Sequence, residues 1–352
     1  MNIKEIFAEY YKTAEINIPE IEKREFGIGN NKKIDARHLN FANVSEFRRY
    51  LCTNTPMFVS HSTAYYAFPG ATPIQRKQWL YADIVFDLDI HAEGKYGVYP
   101  LLESMKADVE RLVDEFIVND FGIDKKHVVI VFSGNRGYHV HVRDPEYLKI
   151  GGEERRELVD YIMGQGLDYR QFFQFDDKKR LRGPRPDEGG YRGRFARKTM
   201  EVLNENPGLL SRNFKREKDR NFFISGIREG NWSKTTLKLD DLLGRLGRVA
   251  QNLSVSSVNT DVAVTQDLSK LIRVPNSVHG ETGLIAKIVD DIENFNPFEH
   301  AGIKGENRKI RFIEDVPELE IAGTKAFKKD EIAELPQHKA LFFVLRKSAV
   351  WS

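Results

Sequence analysis

A chain of 352 residues with 41% hydrophobic and 30% charged residues is long enough to bury a large core and has the balance of a soluble globular protein. Its formal net charge of +2 excludes a global electrostatic pull toward nucleic acid, so any such surface has to be local. The single cysteine, Cys52, excludes an intrachain disulfide and every multi-cysteine zinc site, and it fits a reducing, intracellular setting.

Residues 1–16 predict a short amphipathic helix with Ile3, Ile6, Phe7 and Tyr10 on one side. The segment carries charge throughout and has no apolar signal core, and no stretch reaches membrane-spanning length. Pro19 interrupts the next segment, and Arg24-Glu25-Phe26-Gly27 leads into a polar turn at Asn30 and Asn31. Arg24 and Arg37 are expected at the surface. Residues 45–52 predict a helix with Ser45 as N-cap. After Pro56 the chain turns extended through Met57–Ser62, and Tyr65-Tyr66 are expected in the core.

Tyr81-Ala82-Asp83-Ile84-Val85-Phe86-Asp87-Leu88-Asp89 reads as one strand. Ala82, Ile84, Phe86 and Leu88 alternate with Asp83, Val85, Asp87 and Asp89, so the two sets face opposite ways. Asp87 and Asp89 then lie side by side, about 7 Å apart at Cα. Two such carboxylates repel unless a cation sits between them, and hard divalent ions take such oxygens. An edge strand with a solvated acidic face satisfies the same pattern.

Residues 101–118 predict a helix through Leu102, Met105, Val109, Leu112, Val113 and Phe116, ended by Gly122. His127–Phe132 predicts an apolar strand that runs into Ser133-Gly134-Asn135-Arg136-Gly137-Tyr138-His139-Val140-His141-Val142. The glycines permit a tight turn and close backbone approach. Ser133, Arg136, His139 and exposed backbone N–H groups suit a phosphate. The stretch lacks the Gly-Lys-Ser/Thr end of a P-loop, and a plain hairpin with packed histidines also accounts for it.

Residues 153–164 predict a helix. From 178 to 220 the composition turns basic, with Lys178, Lys179, Arg180, Arg182 and Arg185 followed by clusters at 192–198 and 212–220. Phe195, Phe214, Phe222 and Phe223 are interleaved, which suits a surface that tracks a nucleic-acid backbone; a solvated, partly helical face fits as well. With a helix over 234–251, residues 178–252 form an expected inserted, mostly helical subdomain, leaving 1–177 and 253–352 as the main domain. Further on, Leu268, Leu271 and Ile272 predict a short helical turn stopped by Pro275. Arg273 and His279 come next as candidate triphosphate contacts. A strand at Lys309–Ile313, a helix near 328–335 and a strand over 340–346 complete the chain.

Three of these segments, in this order, resemble the catalytic small subunit of archaeal and eukaryotic DNA primase, with the archaeal form the nearer. The first is Phe86-Asp87-Leu88-Asp89. The second is Ser133-Gly134-x-Arg136-Gly137-x-His139. The third is a late Asp followed by Leu271-Ile272-Arg273-x-Pro275-x-Ser277-x-His279-Gly280-x-Thr282-Gly283-Leu284. Arg24-Glu25-Phe26 and Arg37 are also similar to the family's N-terminal pattern.

The resemblance implies a mixed α/β fold, the archaeo-eukaryotic primase catalytic fold, with the small helical insertion. The carboxylates would lie on a central sheet beneath an opposing sheet or lobe contributing Ser133 to His141. It implies a nucleotidyltransferase that makes short RNA primers on single-stranded DNA, and it permits extension with deoxynucleotides. Asp87, Asp89 and Asp261 would hold Mg²⁺ or Mn²⁺, with Asp261 preferred over Asp267. Arg37, Ser133, Arg136, His139, Arg273 and His279 would meet the nucleoside triphosphate. The partners implied are a large, iron–sulfur-bearing regulatory subunit, the DNA template and the primer; the setting is the cytoplasm, at the nucleoid, without membrane. The family's cysteine-bearing zinc knob has no counterpart here, so no structural zinc is expected. A repair or replicon polymerase, a catalytically silent nucleic-acid-binding subunit and a metal-dependent phosphohydrolase are the competing readings.

Overall fold

The computed structural model describes residues 2–251, 253–255 and 262–352. The chain divides into two compact units, one of Met1–Glu110, Asp124–Glu157 and Val258–Ser352, the other of Arg111–Ile123 and Leu158–Ser257. The composition break at 178 falls inside the second unit, which begins earlier in the chain.

The first unit opens with α1 (Ile3–Thr13), started by a capping box between Asn2 and Glu5. Strands β1 (Phe26–Gly29) and β2 (Ala36–Leu39) follow, then α2 (Val44–Asn54). The N-cap of α2 is Asn43 rather than Ser45, because the Asn43 side chain accepts the Glu46 N–H at 2.9 Å. Strand β3 (Phe58–Ser62) completes a sheet of order Leu271–Arg273, β3, β1, β2.

The stretch expected as one strand is two. Strand β5 (Trp79–Ala82) pairs with β4 (Ala64–Tyr66), and β6 (Ile84–Asp89) belongs to another sheet. The chain changes partners at Asp83, which is buried. Its carboxylate accepts from Arg24 Nη2 at 2.9 Å, Tyr65 Oη at 2.9 Å and Arg143 Nε at 3.2 Å. Burial pushes the Asp83 carboxyl up, but Arg24 and Arg143, with the hydrogen bonds from Arg24 and Tyr65, hold it below its ordinary value. Arg24 is therefore not a surface residue. It is fully buried, and its Nη1 also donates to Ser62 O and Thr63 O, each at 2.8 Å.

The second sheet has the order Ile288–Val289, β7 (Val128–Phe132), β8 (Gly137–Val142), β6. Its core face carries Ile84, Phe86 and Leu88, as the alternation predicts. The other face is covered too, since Val85 packs with Val264 and Ile272. The helix Val262–Gln266 is fixed there by Thr265, whose hydroxyl donates to Val85 O at 2.7 Å.

Three predicted elements change type. Leu271–Arg273 is a strand, antiparallel to β3 with Ile272 opposite His61; β-branched Ile272 fits a pleated surface, and Pro275 comes after it. Ile332–Leu335 is a strand and Gln337–Leu345 a helix, the reverse of the expectation. Ile332–Leu335 alternates between exposed and half-buried positions. The apolar run after it is ambiguous by periodicity alone, and Pro336 sits at its N-cap, where a missing N–H costs nothing.

In the second unit the helices Gly190–Glu205, Glu217–Arg228 and Leu239–Ala250 surround an aromatic core. Phe195, Phe214, Phe223 and Trp232 are fully buried, and of the interleaved phenylalanines only Phe222 is exposed. Many of the basic residues have carboxylate partners: Arg180 and Arg182 with Asp176, Arg192 with Glu188, Lys198 with Glu201. Arg194 is buried between Glu115 and Asp120 and lies 3.9 Å over the Phe116 ring. No helix among the described residues is long and apolar enough to cross a membrane.

Candidate active site

The site grows from one pairing register. Across β6 and β8, Asp87 lies opposite His139 and Asp89 opposite Gly137. The hairpin β7–β8 and the carboxylates are thus on the same sheet, not on opposing lobes as expected. A turn as short as Ser133–Arg136 leaves β8 no choice but to pair with β7 on one side, and β6 takes its other edge. The facing wall is the other sheet.

The turn is closed on itself. Ser133 N donates to Gly137 O at 2.9 Å, and Gly137 N donates to Ser133 Oγ at 3.2 Å. Gly134 has φ +81, and a Cβ there would stand 2.9 Å from His279 Cβ. A Cβ on Gly137 would stand 1.9 Å from Leu88 O, so the ladder beside Asp89 requires glycine. Arg136 Nε donates to Asp89 Oδ2 at 2.9 Å.

His139 Nε2 is 3.5 Å from Asp87 Oδ1. Burial pushes the His139 imidazole down to about 4, with Arg273 adding to the shift and Asp89 opposing it. It is neutral at pH 7 and meets Asp87 as a dipole rather than as a cation. From the facing sheet, Arg273 lies opposite Ser60 of β3, its guanidinium 5.7 Å from the Phe58 ring. Burial lowers Arg273 to about 10, which leaves it charged at neutral pH. His279 packs edge-on to Phe58 at 5.6 Å and is held well below its ordinary value, by burial first and by Arg273 next.

These side chains line one cavity of about 320 Å³. It brings together Asp87, Asp89, Ser133, Arg136, His139, Arg273 and His279. Arg37 is not in its lining; Arg37 Nε donates to Glu25 Oε1 at 3.0 Å. Asp261 lies outside the described residues. Its rival Asp267 is exposed and accepts from the Ser269 N–H and hydroxyl, each at 2.8 Å. Sequence reading missed Lys33, Ser60, Asn135 and Lys270, which also line the cavity. Asn135 and Lys270 lie within or beside recognised motifs, whereas nothing local marks Lys33 or Ser60.

The arrangement suits a polyphosphate with a divalent cation. Four cationic side chains, Lys33, Arg136, Lys270 and Arg273, surround a carboxylate pair. The pair offers hard oxygens and no thiolate, as Mg²⁺ or Mn²⁺ require. Among the described residues there is no group of three or more His, Cys, Asp or Glu placed to hold a metal, so Asp87 and Asp89 fit as part of a donor set.

A family model described as DNA primase small subunit matches residues 86–291, from the acidic strand past the His279 turn. The DNA primase small subunit of Methanothrix thermoacetophila is 33% identical, covering 97% of this chain and 95% of its own. That of Methanocella arvoryzae is 31% identical, covering 99% and 97%. That of Thermoplasma acidophilum is 32% identical, covering 99% of both. With a match over more than half of the chain and relatives aligned almost from end to end, the chain belongs to the DNA primase small-subunit family.

Proposed function

We propose that this chain is the catalytic subunit of a DNA primase and joins ribonucleotides on a single-stranded DNA template. The observation that supports this reading is the convergence of two carboxylates with Arg136, His139, Arg273 and His279 in one cleft. In the reaction, a 3′-oxygen bonds to the α-phosphorus of the incoming nucleotide as the bond to pyrophosphate breaks. Asp87 and Asp89, with Asp261 as third carboxylate, would hold Mg²⁺ or Mn²⁺, which when bound stabilises charge on the attacking and leaving oxygens.

The remaining work falls to the chain's own groups. Arg136 neutralises part of the carboxylate pair through Asp89 and offers its other N–H groups to phosphate. The Ser133 turn and neutral His139 donate from the same wall. From the other wall Arg273 offers charge and His279 a ring N–H to the triphosphate, both in place before the reaction starts. Product sequence comes from base pairing, so protein contacts to template and primer position the backbone. The partner in this reading is the large, iron–sulfur regulatory subunit, joined as a heterodimer.

The test is primer synthesis on single-stranded DNA with labelled ribonucleotides and Mg²⁺ or Mn²⁺, alone and with the large subunit. Template-dependent products are expected, and the Asp87→Ala, Asp89→Ala double variant should lose them by about a thousandfold or more. Products that persist in the double variant would overturn the metal assignment. A folded, correctly partnered wild type that makes none would overturn the enzyme reading.

A further inference from the structure

The segment between Arg273 and His279 contains no regular element, yet it has to hold both side chains at the cleft. Its near end is fixed by Val274 N, which donates to Val59 O of β3 at 3.0 Å. Its far end is fixed by Thr282 Oγ1, which donates to Gly134 O at 2.6 Å. The middle is bridged to residues 284–286, Asn276 N donating to Ala286 O at 2.7 Å and His279 N to Leu284 O at 2.8 Å, and on its other side it is held by the N-terminal helix. Tyr10 Oη donates to Asn276 O at 2.7 Å, and Tyr11 Oη accepts the Val278 N–H at 3.1 Å. Asn276 returns a bond from Nδ2 to Glu15 O at 2.7 Å. Asn276 has φ +62, a left-handed conformation that asparagine tolerates better than most residues. Neither tyrosine touches the cavity.

We propose that Tyr10 and Tyr11 are positioning residues for nucleotide binding: through Asn276 and Val278 they set the arm that carries Arg273 and His279. Tyr11 is the stronger of the two. Its side chain is fully buried, and its hydroxyl satisfies a buried N–H one residue before His279. Losing that acceptor frees the Val278 amide, and the arm then gains conformations in which His279 and Arg273 no longer meet the same triphosphate. The inference rests on the reading of this cleft as the nucleotide site.

The experiment is extension of a pre-annealed primer by the full chain, comparing wild type with Tyr11→Phe and Tyr10→Phe. Each change removes a hydroxyl and leaves the ring. Tyr11→Phe should raise the nucleotide KM about three- to tenfold, the worth of a net hydrogen bond, with kcat within about twofold. Amide exchange over 274–286 should accelerate in the same variant. Tyr10→Phe should act in the same direction and keeps the test alive should Tyr11→Phe fail to fold. A merely structural role would lower kcat through a smaller active fraction and leave KM alone, which would overturn the proposal, as would unchanged KM in both variants. A wild type that extends no primer would instead sink the reading of the cleft; accelerated exchange in Tyr11→Phe would then still show the clamp.

Discussion

The two walls of the cleft are built differently. One is a ladder: Asp87, Asp89, the Ser133–Arg136 turn and His139 all belong to a continuous three-strand run of β6, β8 and β7. Its geometry is set by backbone pairing, so its parts cannot move independently. The other wall is a strap. Arg273 ends a three-residue strand, and His279 sits on an arm that has a single bridge, Val278 to Ile285, and is otherwise tied at separate points to β3, α1 and the Gly134 carbonyl. Side-chain damage to a ladder is felt as instability; damage to a strap is felt as misplacement. Arg24 joins the two, since one guanidinium reaches Ser62 and Thr63 at the end of β3 and Asp83 at the start of β6.

That contrast is open to test, beginning with the junction. Arg24→Met should destabilise the protein by about 3–5 kcal/mol, because it leaves Asp83 buried with one partner fewer; urea denaturation measures it, and a loss below about 1 kcal/mol would mean Arg143 suffices. Arg273→Ala should raise the nucleotide KM about tenfold or more with little change in melting temperature. An unchanged KM would take Arg273 out of the site. Gly137→Ala should cost about 1–3 kcal/mol and lower activity in parallel; intact stability with lost activity would mean the ladder is less rigid than its register suggests.

The last test concerns pH. His61 of β3 and His141 of β8 stack at 6.5 Å between the walls, both fully buried. Burial, reinforced by Arg24, lowers His61 to about 3. The unfolded state, with histidine near 6.5, therefore binds the proton first. This contribution is whole above about pH 6.5 and declines as pH falls from there toward 3, by at most about 1.4 kcal/mol per pH unit for each such histidine. Urea midpoints at pH 7 and pH 5 should differ accordingly, and His61→Gln should flatten the difference.

Much of the ladder was legible in the sequence because its signals are local. Alternation placed Asp87 and Asp89 on one face, and the glycines flanking Arg136 announced the turn. The chain order of the motifs added Arg273 and His279. What escaped depends on contacts far apart in the chain. Nothing near Asp83 says that Arg24 and Arg143 converge there and divide one apparent strand into two. Nothing near Leu271 says that β3 offers it an edge, so a helical turn was the local expectation. Arg24 looked like a surface residue because burial of a guanidinium depends on carbonyls and a carboxylate supplied from elsewhere. Arg37 is exposed, as expected, and its Nε donates to the buried Glu25, a contact that nothing near Arg37 in the chain announces. Lys33 and Ser60 reach the cavity only through tertiary arrangement.

The pairing of Asp87 with His139 has a consequence for how this site can change over generations. Side chains on a strand alternate, so a slip of one residue between β6 and β8 would turn Phe86 and Leu88 toward the cleft and bury both carboxylates. No intermediate register keeps half the site. Substitutions can tune such a wall by degrees, but a single-residue insertion or deletion within Gly137–Val142 that shifts the register removes the site outright. Changes of length are cheapest in the connections outside that frame; within it, an added residue has to be taken up as a bulge to keep the carboxylates facing the cleft.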